Sequence, residues 1–219
     1  MRESLRCMGK VVLDITMSVD GFVAGPNPSL DEPLGENGMR LHDWVFGLRT
    51  WRGRHGLEGG AGGPDDDLVR EGIESTGAAI IGRKMFSGGS GPWEDDPNRD
   101  GWWEGEPPFH MPVFVLTHHP RPTEERPGGT TFTFATDGIE AALAQARAAA
   151  GEKDVTIGGG ASVAQQFLAA GLLDELSVHV APILLGGGVR LFGDGGPARL
   201  ELVDLRSSAA VTHLRYRVG

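Results

Sequence analysis

Residues 156–171 run TIGGGASVAQQFLAAG, and residues 184–192 run LLGGGVRLF. In the first stretch a β-branched pair leads into Gly158, Gly159 and Gly160, and a helix-like run follows. A strand that ends in glycines and feeds a helix leaves unpaired backbone N–H groups pointing outward at the helix start. Glycine there lets a diphosphate approach the main chain closely. Ser162 adds a hydroxyl in the first turn. A plain strand-to-helix turn is the competing reading. The glycines are consecutive, so this is not the G-x-G-x-x-G dinucleotide fingerprint with its later acid. The second triplet, Gly186-Gly187-Gly188, continues as VRLFGDGG with no helix start, and reads as a bend or bulge.

Two other apolar runs end in donors. GAAIIG, residues 77–82, is followed at once by Arg83 and Lys84, which can pair with phosphate. Two solvated charges at a helix start are the alternative, but cations there oppose the helix dipole. PVFVLT, residues 112–117, places Thr117, His118, His119 and Arg121 at its end. Adjacent histidines in one loop, with no acid at a familiar spacing, fit anion or nucleotide contact better than metal ligation. Strand ends of this kind form the ligand edge of α/β sheets. Together they suit an adenine dinucleotide, and the cationic set favours NADP over NAD.

Two acids are candidates for proton chemistry. Val12, Asp14, Thr16 and Ser18 share one face of a strand by alternation. A carboxylate on a central strand is costly unless it is paired, exposed in a cleft, or used. Asp43, next to Trp44, is the second. Trp93, Trp102 and Trp103 cover a flat ring or pack their own loop, and packing is the simpler reading.

These residues need a scaffold. Strands are expected at 10–19, 77–82, 112–117, 130–134, 153–157, 174–185, 199–206 and 209–218. Helices are expected at 39–49, 65–75, 137–150 and 161–170. Asp65-Asp66-Asp67 opens the second helix where the dipole favours acids. Residues 52–64 and 88–110 read as long loops. Strands alternate with helices and then run together, which implies an α/β layer with a mostly parallel sheet and a terminal antiparallel hairpin. The 219 residues form one domain, with an ordered core at about 9–218.

Composition narrows the function. The net charge of -10 argues against a nucleic-acid surface but leaves room for a local anion site. The single cysteine, Cys7, excludes an internal disulfide and a cysteine zinc site. The N-terminus has no secretory apolar segment, and no run spans a bilayer, so a cytoplasmic protein is expected.

The stretches KVVLDITMSVDGFVAG, IIGRKMF, VFVLTHHPRP, VTIGGGASVAQQFLAAGLLDELSVHVAPILLGGGVRLF and VTHLRYRV, in that order, resemble the dihydrofolate reductase-like superfamily. The nearest branch is the reductase domain of bifunctional riboflavin-biosynthesis proteins and its stand-alone bacterial relatives. The resemblance covers nearly the whole chain. It implies a three-layer αβα fold with an eight-stranded, mostly parallel sheet, NADPH as hydride donor, and a homodimer. It places Gly82, Arg83, Lys84 and Met85 on the phosphate and adenosine side, Thr117 and His118 beside the adenosine, and Gly158, Gly159, Gly160, Ala161, Ser162 and Val163 at the diphosphate. The first-strand face and the Ser18–Gly21 turn would lie near nicotinamide and substrate. The implied activity is reduction of a small heterocyclic or ribosylamino compound, 5-amino-6-(5-phosphoribosylamino)uracil first and a dihydropteridine second. A non-catalytic NADP-binding dimer is the alternative. The zinc deaminase domain of the bifunctional enzymes cannot exist in a chain with one cysteine.

Overall fold

The structure is a computed structural model that describes residues 9–103, 105–193 and 198–219; Cys7 lies outside the described residues. The strands are β1 (Val11–Ser18), β2 (Phe22–Ala24), β3 (Thr76–Gly82), β4 (Pro112–Leu116), β5 (Glu124–Arg126), β6 (Thr130–Ala135), β7 (Asp154–Gly159), β8 (Glu175–Ala181), β9 (Val189–Arg190), β10 (Leu200–Ser207) and β11 (Thr212–Val218). The helices are α1 (Asp43–Phe46), α2 (Arg49–Arg54), α3 (Pro64–Ser75), α4 (Arg83–Ser87), α5 (Ile139–Ala150) and α6 (Ala161–Ala169).

The main sheet has the order β10-β11-β8-β1-β7-β3-β4-β6-β5. From β8 to β6 every neighbouring pair is parallel, while β11, β10 and β5 run antiparallel at the two edges. This is the mostly parallel sheet and terminal hairpin that the alternation of elements implies. It has nine strands rather than eight, because Glu124–Arg126 pairs with the edge of β6. Those residues are charged and carry no apolar signal, so only tertiary pairing makes them a strand.

Apolar side chains leave the sheet on both faces. Val11 and Leu13 join Val155, Ile157, Ala164 and Phe167 in a core under α5 and α6. On the opposite face Ile81, Phe86, Val113, Phe132 and Phe134 form a second cluster, against which Trp93 and Trp103 pack. The tryptophan loop is therefore packing: Trp93 lies edge-on to Phe86 and Phe134, and Trp103 lies edge-on to Phe109.

Three other expectations change. The helix expected at 39–49 is a 3-10 turn, Gly38–His42, continuing into α1, and a separate α2 follows the break at Gly47-Leu48. The first residues of the expected loop at 52–64 belong to α2. The strand expected at 174–185 stops at Ala181, because Pro182 has no N–H to continue the ladder.

The second glycine triplet is a bend, as its sequence implies. Gly188 has φ +122°, and a Cβ there would meet the Ala24 carbonyl oxygen at 2.1 Å. The triplet carries the chain into β9, which pairs with β2. Asp20 ties it down by accepting the Leu185 N–H at 3.1 Å and the Gly186 N–H at 2.7 Å. The Ser18 hydroxyl and these N–H groups outweigh desolvation and hold the Asp20 carboxyl at about 2. A carboxyl depressed from the usual value of about 3.9 stabilises the fold above that pH and stops doing so as pH falls through its folded value. Asp20→Asn is therefore expected to lower the urea midpoint at neutral pH. The two midpoints should converge as pH falls from about 4 towards about 2; an offset independent of pH would contradict the assignment.

Candidate active site

On the face of β1 that carries Val12, Asp14 and Thr16, the sheet is not fully covered. The 3-10 turn, α1, α2 and α3 stand off it and leave a cleft of about 600 Å³. Its floor includes Asp14, Thr16, Gly158, Ser177, His179 and Arg215. Its walls include His42, Trp44, Trp51 and Phe109. Arg54, at the end of α2, donates to the carbonyls of Pro108 (2.6 Å) and Phe109, fastening this roof to the segment before β4.

Asp14 opens into the cleft, with its side chain 43% exposed. Behind it runs a line of titratable groups from four elements. Asp14 Oδ1 lies 3.2 Å from His179 Nε2 on β8. His179 Nδ1 lies 2.8 Å from His213 Nδ1 on β11. His213 Nε2 lies 3.1 Å from Asp65 Oδ1 at the start of α3. Both histidines are buried. Register explains the join: His213 is the direct cross-strand partner of His179, and His179 stands beside Thr16. Trp44 covers both rings, with centroids 5.1 Å from each, and donates its indole N–H to Thr16 Oγ1 at 3.3 Å.

The electrostatics follow from this line. Partial desolvation at the cleft floor works to raise the Asp14 carboxyl, but His179, and behind it Arg215 and His213, hold it below the usual carboxylate value. Burial and the neighbouring His179 push His213 down, while Asp65 pulls it back in part. Burial likewise lowers His42. Asp43, by contrast, is exposed at the start of α1 and does not line the cleft. The structure brings Asp14 to the site and leaves Asp43 outside it.

The strand-end residues gather as well. β7, β3 and β4 are adjacent and parallel, so the Gly158–Gly160 triplet, Gly82–Met85 and Thr117-His118 lie along one edge. The triplet closes β7 and α6 begins at Ala161, as expected. A Cβ on Gly82 would lie 3.0 Å from Val163 and 3.7 Å from the Gly160 nitrogen, so the β3 and β7 ends touch. Around Gly160 a Cβ would meet nothing within 4 Å. Ser162, Lys84 and His118 are exposed on this edge; Ala161 and Val163 are buried, Met85 is partly buried, and Thr117 is buried with its hydroxyl accepting the His119 N–H at 3.1 Å. The cleft and the edge meet at Gly158, which lines the cleft and follows Ile157, the partner of Leu13 on β1.

Residues 9–214 match the model of the RibD C-terminal domain. The chain belongs to that family. Its sequence is 24% identical over 212 residues to the uncharacterised protein YyaP of Bacillus subtilis (strain 168), covering 94% of each chain. The fold is shared with a putative riboflavin biosynthesis protein from Shewanella sp. PV-4, at TM-score 0.55, 22% identity, and coverage of 96% of this chain and 99% of that one. It is shared also with a diaminohydroxyphosphoribosylaminopyrimidine deaminase/5-amino-6-(5-phosphoribosylamino)uracil reductase from Thermotoga maritima, at TM-score 0.56 and 13% identity. That match covers 97% of this chain and 57% of the other.

Within this family member, one edge cation has a structural post. The Arg83 guanidinium turns inward, is 7% exposed, and pairs with Asp96, whose side chain is 2% exposed. It also donates to Ser87 Oγ at 2.9 Å and lies 3.1 Å from the Trp93 ring centroid. Lys84 is the member of the pair that faces solvent. Burial works to raise Asp96, but bonds from Ser87 and Arg83 keep it below the ordinary range. Removing one partner of a buried pair strands the other, at a cost of about 3–5 kcal/mol. Asp96→Ala is accordingly expected to destabilise the protein by about that much in denaturant unfolding, and a loss below about 1 kcal/mol would contradict the assignment.

Proposed function

We propose that the protein is an NADPH-dependent reductase of the riboflavin-pathway type, acting on a C=N or C=O group of a ribosylaminopyrimidine of the 5-amino-6-(5-phosphoribosylamino)uracil class. The observation that carries this reading is the meeting, at Gly158, of a strand-end edge suited to a dinucleotide and a cleft with a carboxylate and aromatic walls. Membership of the RibD C-terminal domain family supports it, as does the reductase half named for the Thermotoga maritima relative.

The residues present fit the cofactor. Open space at Gly160 beside the α6 N-terminus suits a diphosphate, while Lys84 and His118 are exposed cations or donors along the same edge. Gly82 and Met85 would shape the phosphate side, where the Arg83 guanidinium, expected from the sequence to meet phosphate, is turned inward onto Asp96; Thr117 would shape the adenosine side, and Gly158, Gly159, Ala161, Ser162 and Val163 the rest of the cradle. Bound there, the nicotinamide supplies hydride. The chain's own residues do the rest: Trp44, Trp51 and Phe109 exclude water and stack on a planar ring, and Asp14 stands where a heteroatom must be protonated. Asp43, exposed outside the cleft, has no part in this arrangement.

A homodimer fits the exposed apolar edge. Leu200, Leu202, Val203 and Leu205 on β10 are all at least 39% exposed, and a long apolar edge strand invites pairing with a second copy. Leu205→Lys should shift the species seen in sedimentation from dimer to monomer; an unchanged dimer would place the interface elsewhere.

Binding tests the cofactor directly. NADPH should raise the melting temperature of the wild-type protein and NADH should raise it less; equal shifts, or none, would count against the 2′-phosphate reading. Gly159 is a poor probe, since its φ of +114° makes any side chain strained. Gly160 and Gly187 have open space and no positive φ. Gly160→Val is expected to weaken NADPH binding at least tenfold, on the order of 1.4 kcal/mol, while Gly187→Val leaves it within twofold. Equal effects at the two positions would remove the cradle.

A further inference from the structure

We infer that Asp14, His179, His213 and Asp65 form a proton relay that stores one proton beside the cleft and delivers it through Asp14 to the heteroatom of the reduced bond. The inference rests on the reductase reading for its use, but the stored proton is a property of the chain alone.

Proton counting carries the argument. The line has three contacts, at 3.2, 2.8 and 3.1 Å, and each needs one hydrogen between two heavy atoms. Carboxylates only accept, and a neutral imidazole brings one hydrogen. Two neutral histidines between two carboxylates therefore supply one hydrogen too few. Somewhere along the line two lone pairs would face each other inside the protein, which is costly. One added proton satisfies every contact.

Its position follows from the neighbours. The hydrogen between the two Nδ1 atoms can sit on either ring, and burial disfavours the charge on His213. The added proton then belongs to His179. Its Nε2–H donates to Asp14 and its Nδ1–H to the bare Nδ1 of His213, whose Nε2–H donates to Asp65. Other groups face this ring: Thr16 from β1, Trp44 from α1, His42 from the preceding 3-10 turn, with Asp43 beyond it, and Arg215 from β11. Of these His42, with its own value lowered, and Arg215 disfavour a second positive charge, whereas Asp14 and Asp65 favour it. The indole over both rings keeps water from replacing the contacts.

Reduction of a C=N or C=O bond adds hydride at carbon and a proton at the heteroatom. The His179 Nε2 proton passes to Asp14, and a proton passes from Asp14 to the heteroatom. His179 keeps its Nδ1 hydrogen and becomes neutral. One solvent proton restores the line, entering at Asp14, whose side chain is 43% exposed, and passing from it to the bare Nε2 of His179. Asp14 is the catalytic residue; His179, His213 and Asp65 act through it as positioning residues.

The test has two arms. Long-range proton–nitrogen NMR of the seven histidines, without substrate or cofactor, reads the relay itself. At neutral pH His179 should carry hydrogen on both nitrogens and His213 on Nε2 only. Asp14→Asn should leave His179 with one hydrogen. A singly protonated His179 in the wild-type protein, or no change on Asp14→Asn, overturns the relay. The second arm follows NADPH oxidation with 5-amino-6-(5-phosphoribosylamino)uracil across pH. The wild-type kcat should fall as pH rises and the added proton is lost. His179→Gln should lower kcat roughly a hundredfold, with KM within about threefold, and flatten that fall. An unchanged kcat, or an intact pH profile in His179→Gln, overturns the delivery role. Absence of any wild-type turnover overturns the reductase reading instead, and the NMR arm still decides whether the proton is stored.

Discussion

A carboxylate in the middle of the central strand constrains everything around it. β1 is paired on both sides, so Asp14 cannot move its charge to a sheet edge. A charge there must be hydrated, paired, or both. The cleft provides the first and His179 the second. But a buried imidazole has a second nitrogen, which also needs a partner, and the requirement passes to His213 and then to Asp65. Each step recruits a different element: β8, β11, the start of α3. The terminal hairpin must lie against β8 for His213 to reach His179. One polar residue on β1 thus accounts for much of how this side of the molecule is arranged.

The other organising constraint is the direction of the strands. Parallel pairing puts the C-terminal ends of β1, β7, β3 and β4 on one edge, where helix starts and turns leave main-chain donors facing out. The two glycine triplets divide along this logic. Gly158–Gly160 has a helix behind it and open space at Gly160. Gly186–Gly188 is pinned by Asp20 and crowded by Ala24, so its glycines serve the bend into β9. Composition is the same in both; the partner of the backbone differs.

The fold class, the strand ends and the contrast between the triplets were legible because each rests on local pattern: alternation, an apolar run, a helix start. Asp14 was legible for the same reason, as the wrong residue type for its face. What alternation cannot supply is register. His179 and His213 sit 34 positions apart, and nothing short of the β8–β11 pairing shows that they meet. The alternation of VTHLRYRV marks His213 as facing the same way as Arg215, yet not what it faces. Arg83 was legible as a cation at a strand end, but its post was decided by Asp96, on an irregular loop whose path no periodicity describes. The helical period over 39–49 placed Asp43 beside Trp44 on one helix. The structure keeps both on α1, but the period alone could not show that Trp44 meets the histidines while Asp43 is exposed.

In the proposed relay, the pairing of Asp14 with His179 also resolves a chemical difficulty. A proton donor must hold its proton until the substrate needs it, yet Asp14 is kept ionised by the cations around it. On its own it would be a base and an electrostatic obstacle to an anionic substrate. Coupled to an imidazole that carries the proton, it becomes a conduit. Arg215 on the cleft floor offsets its charge towards the ligand, and Trp44 keeps the far end of the line dry. The division of space then makes sense. The proposed cofactor's phosphates would need cations and main-chain donors reachable from solvent, which the strand-end edge offers. The proton store needs the opposite, a dry site with every contact satisfied. Gly158 belongs to both, as a residue of the cleft floor and the first glycine of the strand-end triplet.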